Sequence, residues 1–597
     1  MSKETLSELD DVAKTRPISS KLLLKIFKSM GIYAFIIIFS NIFLFICLYT
    51  DIEIISEIKL LIDNKNIKTD SLISLVGMLG ILILVNRVSG ATQFISTILS
   101  SNKAMQSLRN QFFQSLMLLS KRFYDKHKSG WLVARATGDM GSIFDFMTFA
   151  LMMIMISLGI IGISLFKLFQ INPTLLIPCL FLIPFLFLAT ILFKKRMTSN
   201  QRDLRDANSR MIAYLSESIK GVKVSQAFDR VTKNKENFEE HNKKNFILGL
   251  ETSKLNGLYM PSMEFIGTLG LIFAIIFGIY LIQSNQTTKP LSPGDLAAYL
   301  LLISLMLFPI RLLVEFYSMS ISAMASAERI YEIIDMKSEI IDTDNTDTEF
   351  SKNWSIELKN VDFQYDESEP MVLKNLNLII KEHESIALVG HTGAGKTTIA
   401  SLISRFYDVK KGDIFINNIN IKDINLKTLH EKMAIVLQEG YLFSGTVFEN
   451  LRTRNPTLSN EEVIQFSKQM GTHEIFNALP FGYDTVVGES GHAISHGQRQ
   501  LISLVRSLIT KPEIMILDEA TSSIDVLTES ILTNAINNIS KNTTSIFIAH
   551  RLSTIKNVDR ILVIGNGGIM EEGNYDTLMK NKSHFYKLIN LYDEGKI

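Results

Sequence analysis

Cysteine is nearly absent: Cys47 and Cys179 are the only two in 597 residues, and both sit inside apolar runs. That argues against a disulfide framework or a zinc site and suits a membrane-embedded or reducing setting, with both thiols serving as small core residues. An excess of charge of one sign is missing too, since the formal net charge is +1, which leaves no electrostatic footprint for nucleic acid. The leading residues 1–28 are polar, and no small-residue cleavage site follows the first apolar stretch, so a cleaved secretory signal is not expected. What the chain does have is hydrophobicity, with 47% apolar residues and a mean hydropathy of +0.20, gathered in its first half. Its length exceeds what one core holds and predicts two or more domains.

Six stretches approach or reach the roughly 20 apolar residues that a bilayer span requires, near 29–50, 71–89, 145–168, 173–193, 262–283 and 295–318. Lys3, Lys14, Arg16, Lys21, Lys25 and Lys28 precede the first, and Lys194, Lys195, Arg196, Arg202, Arg205 and Arg210 follow the fourth. The positive-inside rule places both groups on the cytoplasmic side, so both ends of the six-span region lie inside. The link 284–294 holds only Lys289, and spans three and four are a few residues apart, which suits the outer side. Connections 90–144 and 194–261 are helix-patterned and should continue well past the membrane, by roughly 35–45 Å for about thirty residues. Glu264, Arg311 and Glu315 fall at or within spans, where a charge costs about 2.5–3.5 kcal/mol at mid-bilayer. Arg311 and Glu315, four apart beyond Pro309, read either as lining of a pathway or as an ion pair on one helix face. Glu264 reads as interfacial.

The composition changes at Asp342-Thr343-Asp344-Asn345-Thr346-Asp347-Thr348, a polar run that marks a linker. Beyond it, short β-branched runs at 356–358, 385–389, 413–416, 434–437, 514–517 and 545–549 alternate with helical patterns, which predicts an α/β domain with a mainly parallel sheet. The second of these runs feeds Gly390-His391-Thr392-Gly393-Ala394-Gly395-Lys396-Thr397, a complete G-x-x-x-x-G-K-[ST] loop. Strand, glycine-rich turn and helix start together aim backbone N–H groups at phosphates, with Lys396 reaching the outer phosphates and Thr397 a Mg²⁺ ion. Ile514-Met515-Ile516-Leu517-Asp518-Glu519 is an apolar strand ending in two acids: Asp518 is placed to hold the metal through its shell, and Glu519 to polarise an attacking water.

These residues resemble the ATP-binding cassette exporters, half-transporters with fused membrane and nucleotide domains, from about residue 20 to 590. Phe363-Gln364-Tyr365 looks like the loop whose aromatic ring, here Tyr365, stacks the adenine. Gln438 matches the glutamine loop that senses the metal and contacts the membrane domain, and Val487-Gly488-Glu489-Ser490-Gly491 the exporter cross-loop. Ile494-Ser495-His496-Gly497-Gln498-Arg499-Gln500 is similar to the signature, Ser522-Ser523-Ile524-Asp525 to the dimer-contacting loop, and His550 to the switch histidine. In the membrane half, Phe123-Tyr124-Asp125, Gly130 and Arg135-Ala136-Thr137-Gly138-Asp139 look like the first coupling region. Glu217-Ser218-Ile219-Lys220-Gly221, with Phe228 following, looks like the lead into the second.

The resemblance implies an all-α six-helix transmembrane domain followed by an α/β P-loop NTPase domain. The expected division is a cytoplasmic segment 1–28, the membrane domain 29–330, a linker 331–354 and the nucleotide domain 355–597. ATP and Mg²⁺ are the implied cofactors. Glu519, His550 and Gln438 would be catalytic; Tyr365, the loop 390–397, Thr398, Ser495, Gly497 and Gln498 would bind nucleotide; Thr397, Gln438 and Asp518 would hold the metal. The implied partners are membrane lipids, a hydrophobic or amphipathic cargo and a second half-transporter, in a bacterial inner membrane, and no nucleic acid. The activity implied is export or flipping of a lipid or drug driven by ATP hydrolysis; a peptide exporter and a non-transporting nucleotide-gated assembly are the alternatives.

One position departs from the family. His496 stands where the signature ordinarily has glycine, in a segment that caps the nucleotide of the opposite subunit. If that glycine uses a positive φ, the replacement costs about 1–2 kcal/mol. The change fits either an asymmetric pair, whose partner supplies the intact signature, or a homodimer that tolerates histidine.

Overall fold

The computed structural model describes residues 20–63, 69–284, 292–343, 354–436, 440–488, 491, 493–518, 526–548 and 555–593. The chain divides into two compact units, one made of Met1–Met117 and Gly130–Asp335, the other of Leu118–Ser129 and Met336–Ile597.

The helices up to residue 335 are, in order, α1 (Ser20–Met30), α2 (Ile32–Asp63), α3 (Thr69–Leu118), α4 (Lys121–Lys126), α5 (Ser129–Ile171), α6 (Leu176–Lys220), α7 (Val222–Ala227), α8 (Val231–Ser284) and α9 (Pro293–Asp335). All but α4 belong to the first unit. Among the described residues α2, α3, α5 and α8 are long and apolar enough to cross a membrane, and α9 opens with the apolar stretch Pro293–Met306. Together with α6, these helices carry the six predicted spans. At 54 residues α8 is about 80 Å long, far beyond a hydrocarbon core of about 30 Å, so the long connections are helical extensions of the spans. Close approach of α2 to α5 depends on Gly159, where a Cβ would lie 2.5 Å from Leu48 Cδ1; small residues serve this purpose where lipid supplies no hydrophobic drive between helices. α5 contains two π-turns, Arg135–Asp139 and Phe146–Ala150. α1 is amphipathic: Ile26 and Met30 are buried, while Lys25 pairs with Asp335 and lies 4.9 Å from the Tyr331 ring.

The second unit holds two sheets. β1 (Ile356–Phe363), β2 (Leu373–Ile380), β4 (Lys411–Ile416) and β5 (Ile419–Asn420) form an antiparallel sheet in the order β2-β1-β4-β5. β3 (Ser385–Val389), β6 (Met433–Val436), β7 (Ile514–Asp518), β8 (Thr544–Ile548), β9 (Arg560–Gly565) and β10 (Gly568–Gly573) form the other, in the order β10-β9-β3-β8-β7-β6, parallel except for β10. The expected parallel sheet is therefore present, but the predicted strands at 356–358 and 413–416 belong to the antiparallel one. The reason is visible in the residues: β1 reads Ile-Glu-Leu-Lys-Asn-Val-Asp-Phe, apolar on one face, whereas β3 is buried at every position. Alternate residues of the parallel strands feed two cores. Ala387, Val389, Met515, Leu517 and Phe547 join one cluster, and Ile386, Leu388, Ile514, Ile516, Ile546 and Ile548 the other. With both faces covered, chemistry is left to the loops at the carboxyl ends of β3, β7 and β8.

Candidate nucleotide site and the polar contacts around it

β3 pairs with β8 on one side and β9 on the other, so its carboxyl end is fixed where the chain enters the loop Gly390–Thr397 and then α10 (Lys396–Ile403). Gly390, Gly393 and Gly395 have φ of 152°, 81° and 105°. At Gly390 a Cβ would stand 2.3 Å from the Ile564 carbonyl oxygen, so neither the backbone conformation nor the space admits a side chain. Lys396 is 6% exposed; its Nζ donates to the carbonyls of Gly390 at 2.8 Å and His391 at 3.1 Å. The ammonium is thereby held against the loop that would wrap a phosphate chain, while His391, Thr392 and Gly393 are exposed.

Asp518 ends β7, one strand beyond β8 from β3. Thr397 Oγ1 donates to its Oδ2 at 3.4 Å, so two of the three predicted metal ligands, 121 positions apart in the chain, meet. A hydroxyl beside a carboxylate is the hard oxygen set that Mg²⁺ takes, so these residues fit the ion. Next to Thr397, the buried Thr398 shares a 2.8 Å hydrogen bond between its Oγ1 and the Tyr365 hydroxyl. Tyr365 sits edge-on to Phe363 and Tyr407, with ring centroids 5.1 and 5.3 Å away. Burial raises its phenol above the ordinary value, and the Thr398 hydrogen bond offsets part of that. Lys396, Thr397, Thr398, Asp518 and Tyr365 thus come together; Gln438, Glu519, Ser522–Asp525 and His550 lie outside the described residues.

The signature forms a separate helix start. Ser495 caps α11 (His496–Leu508) in a reciprocal box: its Oγ accepts from Gln498 N at 3.2 Å, and Gln498 Oε1 accepts from Ser495 N at 3.0 Å. His496 is the first helical residue, exposed and without a positive φ. The strain that histidine would suffer in a left-handed position is therefore not incurred, and Gly497 is the buried glycine of the pair.

Residues 22–310 match the family described as ABC transporter transmembrane region, and 373–522 the family described as ABC transporter. The chain is 34% identical over 472 residues to the ABC transporter ATP-binding protein YknV of Bacillus subtilis, covering 79% of this chain and 77% of the relative. It is 33% identical over 520 residues to the ATP-dependent lipid A-core flippase of Syntrophus aciditrophicus, covering 86% of each. The chain belongs to the ABC transporters. A solved bacterial Atm1-family ABC exporter with ATP bound shares the fold, with a TM-score of 0.76 at 22% identity over 94% of this transporter and 98% of that chain.

Polar contacts in the membrane half of the transporter escape sequence reasoning. Asp139, in the first π-turn of α5, accepts from Ser326 Oγ at 2.9 Å, Arg329 Nε at 3.0 Å and Arg135 Nη1 at 2.9 Å. Burial alone would raise its carboxyl, but the hydrogen bond and charge of Arg329, with the bonds from Ser326 and Arg135, hold it below the ordinary carboxylate value. On α2, Glu53 pairs with Lys167 of α5 at 2.5 Å and accepts from the Tyr49 hydroxyl at 3.0 Å. Asn86 of α3 reaches Asp51 Oδ1 at 2.9 Å and the Cys47 carbonyl at 2.9 Å. Lys167 interrupts the third apolar run and Glu53 closely follows the first; each looks like a span end, which conceals the pair. Of the three charges singled out in sequence, Glu264 is exposed on α8 and Glu315 is half-buried on α9, while the side chain of Arg311 lies outside the described residues.

Proposed function

We propose that this transporter moves a hydrophobic or amphipathic cargo, of which a lipid is the best candidate, across or between the leaflets of a bacterial inner membrane, paired with a second half-transporter. ATP hydrolysis drives the export. The observation that carries the catalytic reading is the meeting of Thr397 and Asp518 beside the loop that cages Lys396. The lipid reading draws on the flippase relative, which matches over 86% of both chains.

In this reading the N–H groups of the loop 390–397 and the Lys396 ammonium bind the β- and γ-phosphates, and Tyr365 stacks the base. Thr397, Asp518 and Gln438 hold Mg²⁺, which when bound neutralises charge on the outer phosphates. Glu519 accepts a proton from the attacking water, and His550 orients the γ-phosphate. Phosphoryl transfer needs alignment and charge neutralisation more than covalent help, and these groups supply both. Ser495 accepts from Gln498 N, so its own proton remains available for the γ-phosphate of a nucleotide held by the partner, at the positive end of α11. Closure of such a composite site would be the step that reorients the membrane helices.

The test is reconstitution in proteoliposomes with a fluorescent lipid in one leaflet. ATP should accelerate its loss from that leaflet, and Glu519→Gln should abolish the acceleration while leaving ATP binding intact. Lipid movement that ignores ATP, or wild-type turnover in Glu519→Gln, would sink the reading.

A further inference from the structure

The segment Leu118–Ser129, which carries α4, belongs to the same compact unit as the nucleotide-binding residues, and its contacts there converge on one ring. Tyr407 is 5% exposed and donates its hydroxyl to the carboxylate of Asp125. Lys121 Nζ stands 5.7 Å from the centroid of the same ring and 5.5 Å from that of Phe406. Lys126 pairs with Asp366 at 2.6 Å and Arg122 with Glu339 at 3.0 Å, which fixes the segment on both sides of Asp125 in sequence. The Tyr407 ring in turn meets Tyr365 edge-on, at 5.3 Å and 82°, and Phe363 at 5.7 Å. Tyr365 is tied to Thr398, the residue after the phosphate loop. An unbroken series of contacts thus runs from Asp125 through Tyr407 to Tyr365 and the start of α10.

Each link has a directional preference. A buried phenol requires a partner, and a carboxylate is a strong one because the bond is charge-assisted. Burial, followed by the bond to Asp125, pushes the Tyr407 phenol well above its ordinary value, so it stays protonated and donating across the physiological range. An edge-to-face pair holds relative ring orientation as well as distance. Loss of the Asp125 anchor would free Tyr407 to turn, and Tyr365 with it.

We propose that Tyr407 is a positioning residue for the nucleotide base: anchored by Asp125, it holds Tyr365 in the orientation that stacks a purine, so that the segment Leu118–Ser129 senses the base and not only the phosphates. The inference rests on the reading of Tyr365 as the base-stacking ring.

The test uses the full chain in detergent or nanodiscs and measures displacement of a fluorescent ATP analogue by ATP and by inorganic tripolyphosphate, which has the phosphates and no base. Tyr407→Phe and Asp125→Asn should each weaken ATP about fivefold, within the range that one oriented aromatic contact carries, and leave tripolyphosphate within about twofold. The double variant should be no weaker than either single one, as expected of two residues acting through one bond. In steady-state hydrolysis the same variants should raise KM for ATP with kcat little changed. Equal losses on ATP and tripolyphosphate, or no loss on ATP, would overturn the proposal. Tyr365→Ala separates the two readings. If it fails to weaken ATP selectively, the base site itself is misassigned and the inference falls with it. If it does so while Tyr407→Phe leaves ATP binding unchanged, only the link through Tyr407 fails.

Discussion

In the second unit the loop Gly390–Thr397 places its glycines, its lysine and its closing threonine in eight consecutive residues. In the first unit Asp139 meets Arg329 across 190 positions, and Glu53 meets Lys167 across 114. The difference follows from what each region binds. Phosphates are recognised by backbone N–H groups of one turn, so the requirement is written locally as glycine at fixed spacing. Charges among long helices are satisfied by whichever helix packs alongside, so the requirement is pairwise and has no spacing to read. Local chemistry should therefore fail catalytically when altered, and distributed chemistry should fail in stability.

The largest effect tests the local side. Lys396→Ala removes the cation caged by Gly390 and His391, and ATP hydrolysis by purified transporter should fall by at least about 100-fold, the loss expected for a preorganised charge on the transferred group. Its melting temperature should move little. A variant that keeps near-normal turnover would break the contrast on its catalytic arm.

On the distributed side, Asp139→Ala leaves Arg135 and Arg329 facing each other without the carboxylate that joins them. Removing one partner of a buried ionic cluster costs about 3–5 kcal/mol, and partial exposure of the arginines puts the expectation at the lower end. The readout is a fall of several degrees in Tm in detergent, with basal turnover per folded molecule retained. The pH dependence has a definite sign. Because the native carboxyl is held below its ordinary value, the stabilisation is fully present above about pH 4 and is lost as pH falls through the depressed native value. The gap between wild type and Asp139→Asn should thus be constant from pH 6 to 8 and close in acid.

Glu53→Gln should cost less, about 1 kcal/mol, because polar contacts between membrane helices average near that size. The double variant Glu53→Gln with Lys167→Gln should recover part of the loss, since it removes the stranded ammonium as well. Additive losses would mean that the two residues act separately in spite of their 2.5 Å contact.

The same contrast explains what was legible in the sequence. The phosphate loop and the strand-end acid each follow from a short pattern, and the structure places Lys396, Thr397 and Asp518 together. The long helices follow from apolar runs. The antiparallel sheet is harder to read, because β1 and β4 carry the same kind of short apolar run as the parallel strands, although the alternation within β1 distinguishes it. Tyr407, Arg329 and Lys167 were invisible because a lone tyrosine, arginine or lysine declares nothing until its partner arrives from another part of the chain.

His496 lies between the two kinds of chemistry, and its substitution should have the smallest effect. As the first residue of α11 it has helical backbone and an exposed side chain, so restoring the family's glycine relieves no backbone strain. It adds instead a small entropic cost, below the roughly 0.5–1 kcal/mol that glycine costs in a helix interior. The reciprocal bonds between Ser495 and Gln498 do not involve the side chain at 496, so the cap should survive in His496→Gly. Its turnover and Tm should accordingly stay within about twofold and a degree or two of wild type, as for a pair of identical chains that tolerates histidine. A rise in turnover of tenfold or more would mean that the imidazole crowds the γ-phosphate across the subunit boundary, and would favour a partner chain that brings its own intact signature.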